Sequence, residues 1–440
     1  MIFSRTWAGK KYSVLGLARS GAATVQALLA GGASVTMWDS DASKRDAVID
    51  SVEGQQGLRG RADLTFADPE TLELSQFEAV VVSPGVPLNT HPLAAKARAA
   101  GVRIIGDIEL FAEARPTLPP HRVVGITGTN GKSTTTALVH HILKSAGVPT
   151  LMGGNIGLPI LSQAPLNEGG VYVLELSSYQ IDLTENLDCE VAVLLNITPD
   201  HLDRYDGFDA YAKSKARLFD MQSAEHDAVV AIGDTPSAQI ARGLSMRGEH
   251  LNKIAPGICM DQSRWPSLQG PHNAQNALAA ITVCERLGLG NSRIDPGLAS
   301  FTGLPHRMEQ VGVVAGVTYV DDSKATNPES TAPALAAFER VHWILGGLAK
   351  SDDLEACRPQ FGRVARAYTI GTAGPKFAAL LASDMAVEET GTLDAAVISA
   401  SKHARPGETV LLSPACASFD QFRDYEARGD AFRAAVEALT

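Results

Sequence analysis

Ile126-Thr127-Gly128-Thr129-Asn130-Gly131-Lys132-Ser133-Thr134 is the stretch whose reading decides the fold. Ahead of it, Arg122 to Ile126 is an apolar run of the kind that forms a buried parallel strand. Behind it, Thr134 to Leu143 places Leu138, Val139, Ile142 and Leu143 at helical spacing. Strand, glycine-rich turn, Lys-Ser pair and helix, in that order, make a phosphate cradle. Glycines let backbone N–H groups close on phosphate oxygens, and a helix N-terminus favours negative charge. Lys132 adds a cation, and Ser133 offers a hydroxyl to Mg²⁺. The strict pattern has glycine where Ile126 stands; here the extra glycine is Gly128. A tight turn with an exposed lysine is the plain alternative, but it does not account for the strand and helix on either side. The chain is therefore expected to bind a nucleoside triphosphate, ATP or a relative, with Mg²⁺.

At 440 residues the chain exceeds a single core and fits about three domains. With 45% hydrophobic and 20% charged residues it reads as globular rather than disordered. A formal net charge of −11 offers no broad footprint for nucleic acid, so no such partner is expected. Phosphates remain bindable, because helix ends and single cations hold them locally. Cys189, Cys259, Cys284, Cys357 and Cys416 are widely spaced, odd in number and form no CxxC pair. That pattern predicts reduced, structural thiols in the cytoplasm. The short apolar run near the N-terminus is cut off by Arg19, which argues against a signal peptide, and no stretch is long enough to insert in a membrane.

Residues 1–112 read as a first α/β unit. Lys11 to Leu15 is a strand, 16–21 a turn, Ala22 to Ala30 a helix, and Ser34 to Trp38 a second strand closed by Asp39. This is the order of a dinucleotide-type βαβ unit. Its glycines fall only at 16 and 21, with Ala18 between, so a uridine or other nucleotide diphosphate is a better occupant than NAD. Ala79 to Val82 then runs into the turn Ser83-Pro84-Gly85-Val86-Pro87, which by itself reads as a plain βα loop. The Pro-rich stretch 115–120 predicts a stiff, extended linker. Residues 113–303 form a second domain with the phosphate loop, Gly153 to Gly157, strands at Val171 to Leu176 and Val191 to Leu195, and a helix from Asp209 to Met221. Residues 304–440 form a third, with strands at Val317 to Val320, Val341 to Leu345 and Thr409 to Leu412. Alternating strands and helices give an α/β chain with mostly parallel sheets, whose ligands collect at strand carboxyl ends.

Glu175 ends a buried strand, where a carboxylate is costly unless paired or bound to a metal. In a phosphate-loop protein that place suits a Mg²⁺ ligand. Asp200-His201 follows the next strand, and residue type alone favours a structural role for His201. Lys215, on the helix after it, reads by default as a solvated lysine. Lys324, Thr326, Lys350 and Ser418 each follow a separate strand and could line one pocket for a dicarboxylate; unrelated surface positions are an equal alternative.

These residues together resemble the ATP-dependent Mur ligases of peptidoglycan precursor synthesis. The resemblance is carried by Gly128 to Thr134, Gly154-Asn155-Ile156-Gly157, Glu175-Leu176-Ser177-Ser178-Tyr179-Gln180 and Asp200-His201-Leu202-Asp203-Arg204-Tyr205. It continues through His272-Asn273-Ala274-Gln275-Asn276-Ala277, Leu304-Pro305-His306-Arg307, Asp322-Ser323-Lys324-Ala325-Thr326-Asn327 and Leu412 to Ser418, so it spans the chain. The last two stretches are similar to those of the members that add D-glutamate. The Asp-Asn-Pro-Arg motif of the diaminopimelate- and lysine-adding members is missing.

The resemblance implies three domains: an N-terminal Rossmann-like UDP-binding domain, a central P-loop ATPase-like domain and a C-terminal Rossmann-like domain. It implies that Gly128, Thr129, Asn130, Gly131, Lys132, Ser133 and Thr134 hold ATP, with Asn276, Arg307 and Asp322 contacting the nucleotide. Ser133, Glu175, His201 and a CO₂-derived carbamate on Lys215 would hold two Mg²⁺ ions, which replaces the structural reading of His201. Lys213 is the competing carbamate position. Lys132, His201 and Lys215 are the implied catalytic residues. Leu17, Ala18, Arg19, Ser20, Asp39, Ser83, Pro84, Gly85 and Asn155 would hold the substrate UDP-N-acetylmuramoyl-L-alanine. Lys324, Thr326, Lys350, Ser418 and Phe419 would receive D-glutamate, and a monomer is the expected working unit. The rival readings are a folylpolyglutamate-type or other ligase with a different acceptor, and a non-catalytic nucleotide-binding protein. The N-terminal βαβ unit argues against a folylpolyglutamate-type ligase, and the set Lys132, Glu175, His201 and Lys215 against a non-catalytic protein.

Overall fold

A computed structural model describes all residues except 55–62, 201, 256, 258–259, 350–352 and 440. His201, Lys350 and Cys259 therefore lie outside the described residues. The chain divides into two compact units, Met1–Gly257 with Gln275–Leu298, and Ile258–Ala274 with Ala299–Thr440.

The first unit holds two parallel sheets. In one, β1 (Lys11–Leu15), β2 (Ser34–Trp38), β3 (Leu64–Phe66), β4 (Ala79–Val82) and β5 (Arg103–Ile105) lie in the order β3-β2-β1-β4-β5. The order reverses between β1 and β4, and a crevice opens at such a switch point, beyond the strands' carboxyl ends. In the other, β6 (His121–Thr127), β7 (Thr150–Gly154), β8 (Gly170–Glu175), β9 (Val191–Leu194), β10 (Asp227–Ala231) and β11 (Leu251–Ile254) follow the order β11-β10-β9-β6-β8-β7. Strands β6, β8 and β9 are central, and their interiors, Val123 to Ile126, Val171 to Leu174 and Val191 to Leu194, are apolar, as suits strands covered on both faces.

One continuous core joins the two sheets, running from Trp7 and Leu28 to Tyr172 and Leu194. Glu109, fully buried, reinforces the join: it accepts from the backbone N–H groups of Glu185 (2.7 Å) and Asn186 (3.0 Å) and from Arg103 (2.8 Å). The Pro-rich stretch is not the extended linker its composition suggests. Arg115–Thr117 forms a 3-10 turn, with Pro116 supplying a helical φ, and Arg115 is pinned to Glu190 at 2.8 Å and to the Asp188 carbonyl.

The second unit is built on β12 (Glu309–Val314), β13 (Val317–Asp321), β14 (Val341–Gly346), β15 (Val364–Ile370), β16 (Val387–Gly391) and β17 (Thr409–Leu412), in the order β12-β13-β17-β14-β15-β16. Only β12 is antiparallel to its neighbour. Separate apolar clusters cover the sheet's faces, one around Trp343 and Phe377 and the other around Tyr368 and Phe432. Cys189, Cys284, Cys357 and Cys416 are buried free thiols, and among the described residues no helix is long and apolar enough to cross a membrane.

Candidate active site

The phosphate loop leaves β6 at Thr127 and enters the helix Lys132–Ser145 through Gly131. Gly131 has φ +84°, and a Cβ there would come within 2.5 Å of Asn276 Oδ1, so only glycine fits between the turn and that side chain. Asn196 braces the loop from β9's end: its Oδ1 accepts from Asn130 N–H at 2.8 Å and its amide donates to Asn130 O at 3.0 Å. Thr129 Oγ1 accepts from Thr198 N–H at 3.0 Å. Lys132 curls back over the loop, its ammonium donating to the carbonyls of Gly128 (2.9 Å) and Thr129 (2.7 Å).

Glu175 closes β8 beside this loop, and Ile126 pairs with it across the sheet. Only 2% exposed, it accepts from Asn155 Nδ2 at 2.8 Å through Oε1, while its Oε2 has no hydrogen-bond partner among the described residues. A buried carboxylate oxygen left in that state is costly unless a cation completes it. The donor chemistry, this oxygen together with the Ser133 hydroxyl, fits Mg²⁺, a hard cation that takes oxygen ligands.

Lys215 comes from the helix Phe208–Asp220. It is 1% exposed and donates to Gly128 O at 2.9 Å, whereas Lys213 is exposed on the same helix. Burial and the nearby charge of Lys132 push its amine far below the usual lysine range, against the pull of Asp200, Asp182 and Glu175. Burial that favours the unprotonated form makes this amine a better nucleophile than a solvated surface lysine.

At the switch point of the first sheet, Gly16, Ala18, Arg19, Ser20, Asp39, Ser83, Pro84, Gly85 and Asn155 line one cleft of about 390 Å³. Leu17 lies beneath it, buried, with its N–H donating to Asp39 Oδ2 at 2.8 Å. Ser83 Oγ donates to Gly16 O at 2.7 Å, locking the two turns together. The helix starts at Arg19 with no side-chain cap, earlier than the apolar spacing indicates.

In the second unit the loops after the adjacent strands β13 and β17 carry the remaining described candidates. Asp322 is buried, accepts from Ser413 Oγ (2.8 Å) and Met308 N–H (3.2 Å), and is raised to about 7 by burial against the pull of Ser413 and Arg307. Arg428, also buried, ties two loops together, donating to Ser323 O (2.8 Å) and Oγ (2.9 Å) and to Cys416 O (3.0 Å). Lys324 sits 3.6 Å from the centre of the Tyr425 ring. Thr326 is half-buried, Ser418 buried, and Phe419 69% exposed.

Three sequence profiles match in order: a MurD-like N-terminal domain of Mur ligases over residues 10–106, a Mur ligase middle domain over 126–255, and a Mur ligase glutamate ligase domain over 306–416. The chain is 60% identical, over its whole length and 97% of the relative's, to a UDP-N-acetylmuramoylalanine–D-glutamate ligase of Novosphingobium aromaticivorans. The chain belongs to the Mur ligase family. A relative of the same name from Sphingopyxis alaskensis is 59% identical with both chains fully covered. The fold is that of the MurF ligase from Thermotoga maritima, solved with ADP, at a TM-score of 0.62, 14% identity, and coverage of 100% of this chain and 98% of that one.

Within this Mur ligase the structure gathers the phosphate loop, Glu175, Lys215 and Asn276 in the first unit, and Arg307, Asp322, Lys324 and Ser418 in the second. Tyr425 was not legible in the sequence. It stands about a hundred residues after Lys324, in no shared motif, and only folding brings its ring under that ammonium.

Proposed function

We propose that the chain is the ATP-dependent ligase that joins D-glutamate to UDP-N-acetylmuramoyl-L-alanine in peptidoglycan precursor synthesis. The observation that carries this is the 60% identity, across the whole chain, to a relative bearing that activity in its name. The geometry supports it with a phosphate loop, an oxygen-donor set for Mg²⁺ and a cleft at the switch point for a nucleotide diphosphate.

A carboxylate is a poor electrophile. An oxygen of the L-alanyl carboxylate attacks the γ-phosphorus of ATP, ADP departs, and an acyl phosphate forms. The amine of D-glutamate then attacks the acyl carbon, loses a proton, and phosphate leaves from the tetrahedral intermediate. No enzyme nucleophile is needed. Lys132, whose ammonium now rests on the Gly128 and Thr129 carbonyls, exchanges these for phosphate oxygens, which are stronger acceptors. Ser133, Glu175 and His201 are the proposed Mg²⁺ holders. The lone pair of the neutral Lys215 amine is proposed to add to CO₂ and release a proton, leaving a carbamate as a further oxygen donor. Two Mg²⁺ ions at these donors would offset the charge on the transferring phosphoryl group. Asn276, Arg307 and Asp322 are assigned to the nucleotide, and Lys324, Thr326, Lys350, Ser418 and Phe419 to D-glutamate. Residues 1–112, 113–303 and 304–440 are the proposed domains, of a monomer in the cytoplasm.

Phosphate release from ATP is measured with Mg²⁺, UDP-N-acetylmuramoyl-L-alanine and a panel of amino acids. Release with D-glutamate alone, together with the amide product, is the expected result. Release only with another acceptor overturns the assignment of the amino-acid residues.

A further inference from the structure

Arg204 lies in the segment between β9 and the helix Phe208–Asp220. Its guanidinium is wrapped by consecutive carbonyls of the turn after β4: Nη2 donates to Val86 at 2.7 Å and Pro84 at 3.5 Å, and Nη1 to Gly85 at 3.4 Å. On its other side it lies 4.4 Å from the centre of the Tyr179 ring. Tyr179 stacks on Tyr205, with centroids 6.0 Å apart and planes 12° from parallel. The Tyr205 hydroxyl donates to Asp182 at 2.8 Å and meets Ser214 Oγ at 3.3 Å. Ser214 is the neighbour of Lys215 and donates to Ser178 O at 3.1 Å. A parallel tie, Asn89 Nδ2 to Asp203 O at 3.0 Å, joins the same two segments.

The turn 83–86 is a wall of the nucleotide-diphosphate cleft. The far end of the chain of contacts is the helix that presents Lys215 to the phosphate loop. A fork of donors held by uncharged carbonyls depends on the conformation of that turn, because a carbonyl accepts best near its own plane and weakens as the donor moves away. A ligand pressed against Ser83 to Gly85 therefore acts on Arg204 through those same carbonyls. The plain alternative is a brace that only holds the two sheets together; it would weaken every ligand equally when removed.

We propose that Arg204 is a positioning residue through which occupancy of the UDP-substrate cleft tightens the Mg²⁺–nucleotide site. The inference rests on the proposed function, and the experiment separates the two. Binding of a non-hydrolysable ATP analogue with Mg²⁺ is titrated with and without saturating UDP-N-acetylmuramoyl-L-alanine, in the full chain and in Arg204→Lys and Arg204→Ala. The native chain is expected to bind the analogue about ten-fold tighter when the UDP substrate is present, within the usual range of coupling. Both variants should lose that gain, to about two-fold or less, while each ligand alone binds within about three-fold of native. Arg204→Lys keeps the charge without the fork and decides the matter if Arg204→Ala fails to fold. A ratio unchanged in Arg204→Lys, or a native ratio near one, overturns the inference alone. A native chain that binds no UDP substrate overturns the proposed function and this inference with it.

Discussion

The side-chain nitrogens of Lys132 and Lys215 converge on a single acceptor, the Gly128 carbonyl oxygen, each at 2.9 Å. Two lysines so close cannot both carry charge cheaply. Lys132 also reaches the Thr129 carbonyl, while Lys215 is the buried one and the one whose amine is driven down. The arrangement suits the proposed division of labour, with Lys132 as the cation for phosphate and Lys215 as the amine that takes up CO₂.

Replacing Lys215 separates its roles. Lys215→Ala should lower phosphate release by about 10²–10³-fold, the usual loss when one charge-stabilising group is removed, and added acetate should restore part of it. Stability moves the other way. Burial makes the folded amine give up its proton more readily than the unfolded one, so the unfolded state binds more protons and native stability rises with pH up to the ordinary lysine value. Lys215→Met should therefore melt higher than the native chain at pH 7 in CO₂-free buffer. The gap should close as pH approaches the ordinary lysine value. Thermal midpoints across pH 7–10 check this, and a constant gap would contradict it.

Glu175→Gln offers a second separation of binding from stability. Oε2 is buried without a hydrogen-bond partner among the described residues, so the native carboxylate is poorly compensated without a cation. The glutamine variant should need at least about ten-fold more Mg²⁺ for half-maximal activity. Without Mg²⁺ its melting temperature should equal or exceed that of the native chain. A variant less stable in the absence of metal would show that the carboxylate is structural.

Much of this was legible before folding. The strands at 11–15, 34–38, 79–82 and 409–412 fall where the sequence predicts them: Ala79–Val82 is an unbroken apolar block, and Ser34–Trp38 alternates buried and half-buried side chains. Helix starts were read late, at Ala22 rather than Arg19 and at Thr134 rather than Lys132, because first turns are polar and carry no periodic signal. Spacing alone could not choose between Lys213 and Lys215. The choice lies in which face of the helix 208–220 is buried, and only packing reveals that Lys215 faces inward. The linker was misread for a related reason. Proline stiffens a chain, but the partner that pins Arg115 lies some seventy residues away, in Glu190.

Tyr425 supplies a third prediction. Its ring holds the Lys324 ammonium at 3.6 Å, an arrangement that fixes where that cation can meet an acidic substrate. Tyr425→Ala should raise KM for D-glutamate about three- to ten-fold, the scale of one cation–π contact, with kcat less affected. Tyr425→Phe keeps the ring and should stay within about two-fold. Phe419 is 69% exposed, so Phe419→Ala should change KM less than Tyr425→Ala does. Steady-state phosphate release with D-glutamate as the varied substrate checks all three, and the reverse ranking would make Phe419 rather than Tyr425 the stronger substrate contact.

Asp107 opens the helix Asp107–Ala114 and is wholly buried beneath the first sheet's switch point, near Ser20 and Ser83. Burial lifts its carboxyl from 3.8 to about 6, against the opposing pull of the helix's first N–H groups and of the nearby Gln180. The folded state therefore holds this proton more tightly than the unfolded chain does. Its contribution to stability is full below about pH 4 and is lost as pH rises through about 6. Asp107→Asn keeps the shape and an acceptor oxygen but has no proton to lose. It should match the native chain below about pH 4 and exceed it by about 3 kcal/mol above pH 7, since one pKa unit is worth about 1.4 kcal/mol. Urea midpoints measured from pH 4 to 8 should diverge through about pH 5–6. Parallel curves would mean that Asp107 stays ionised throughout, held by the helix N-terminus and Gln180 beside it.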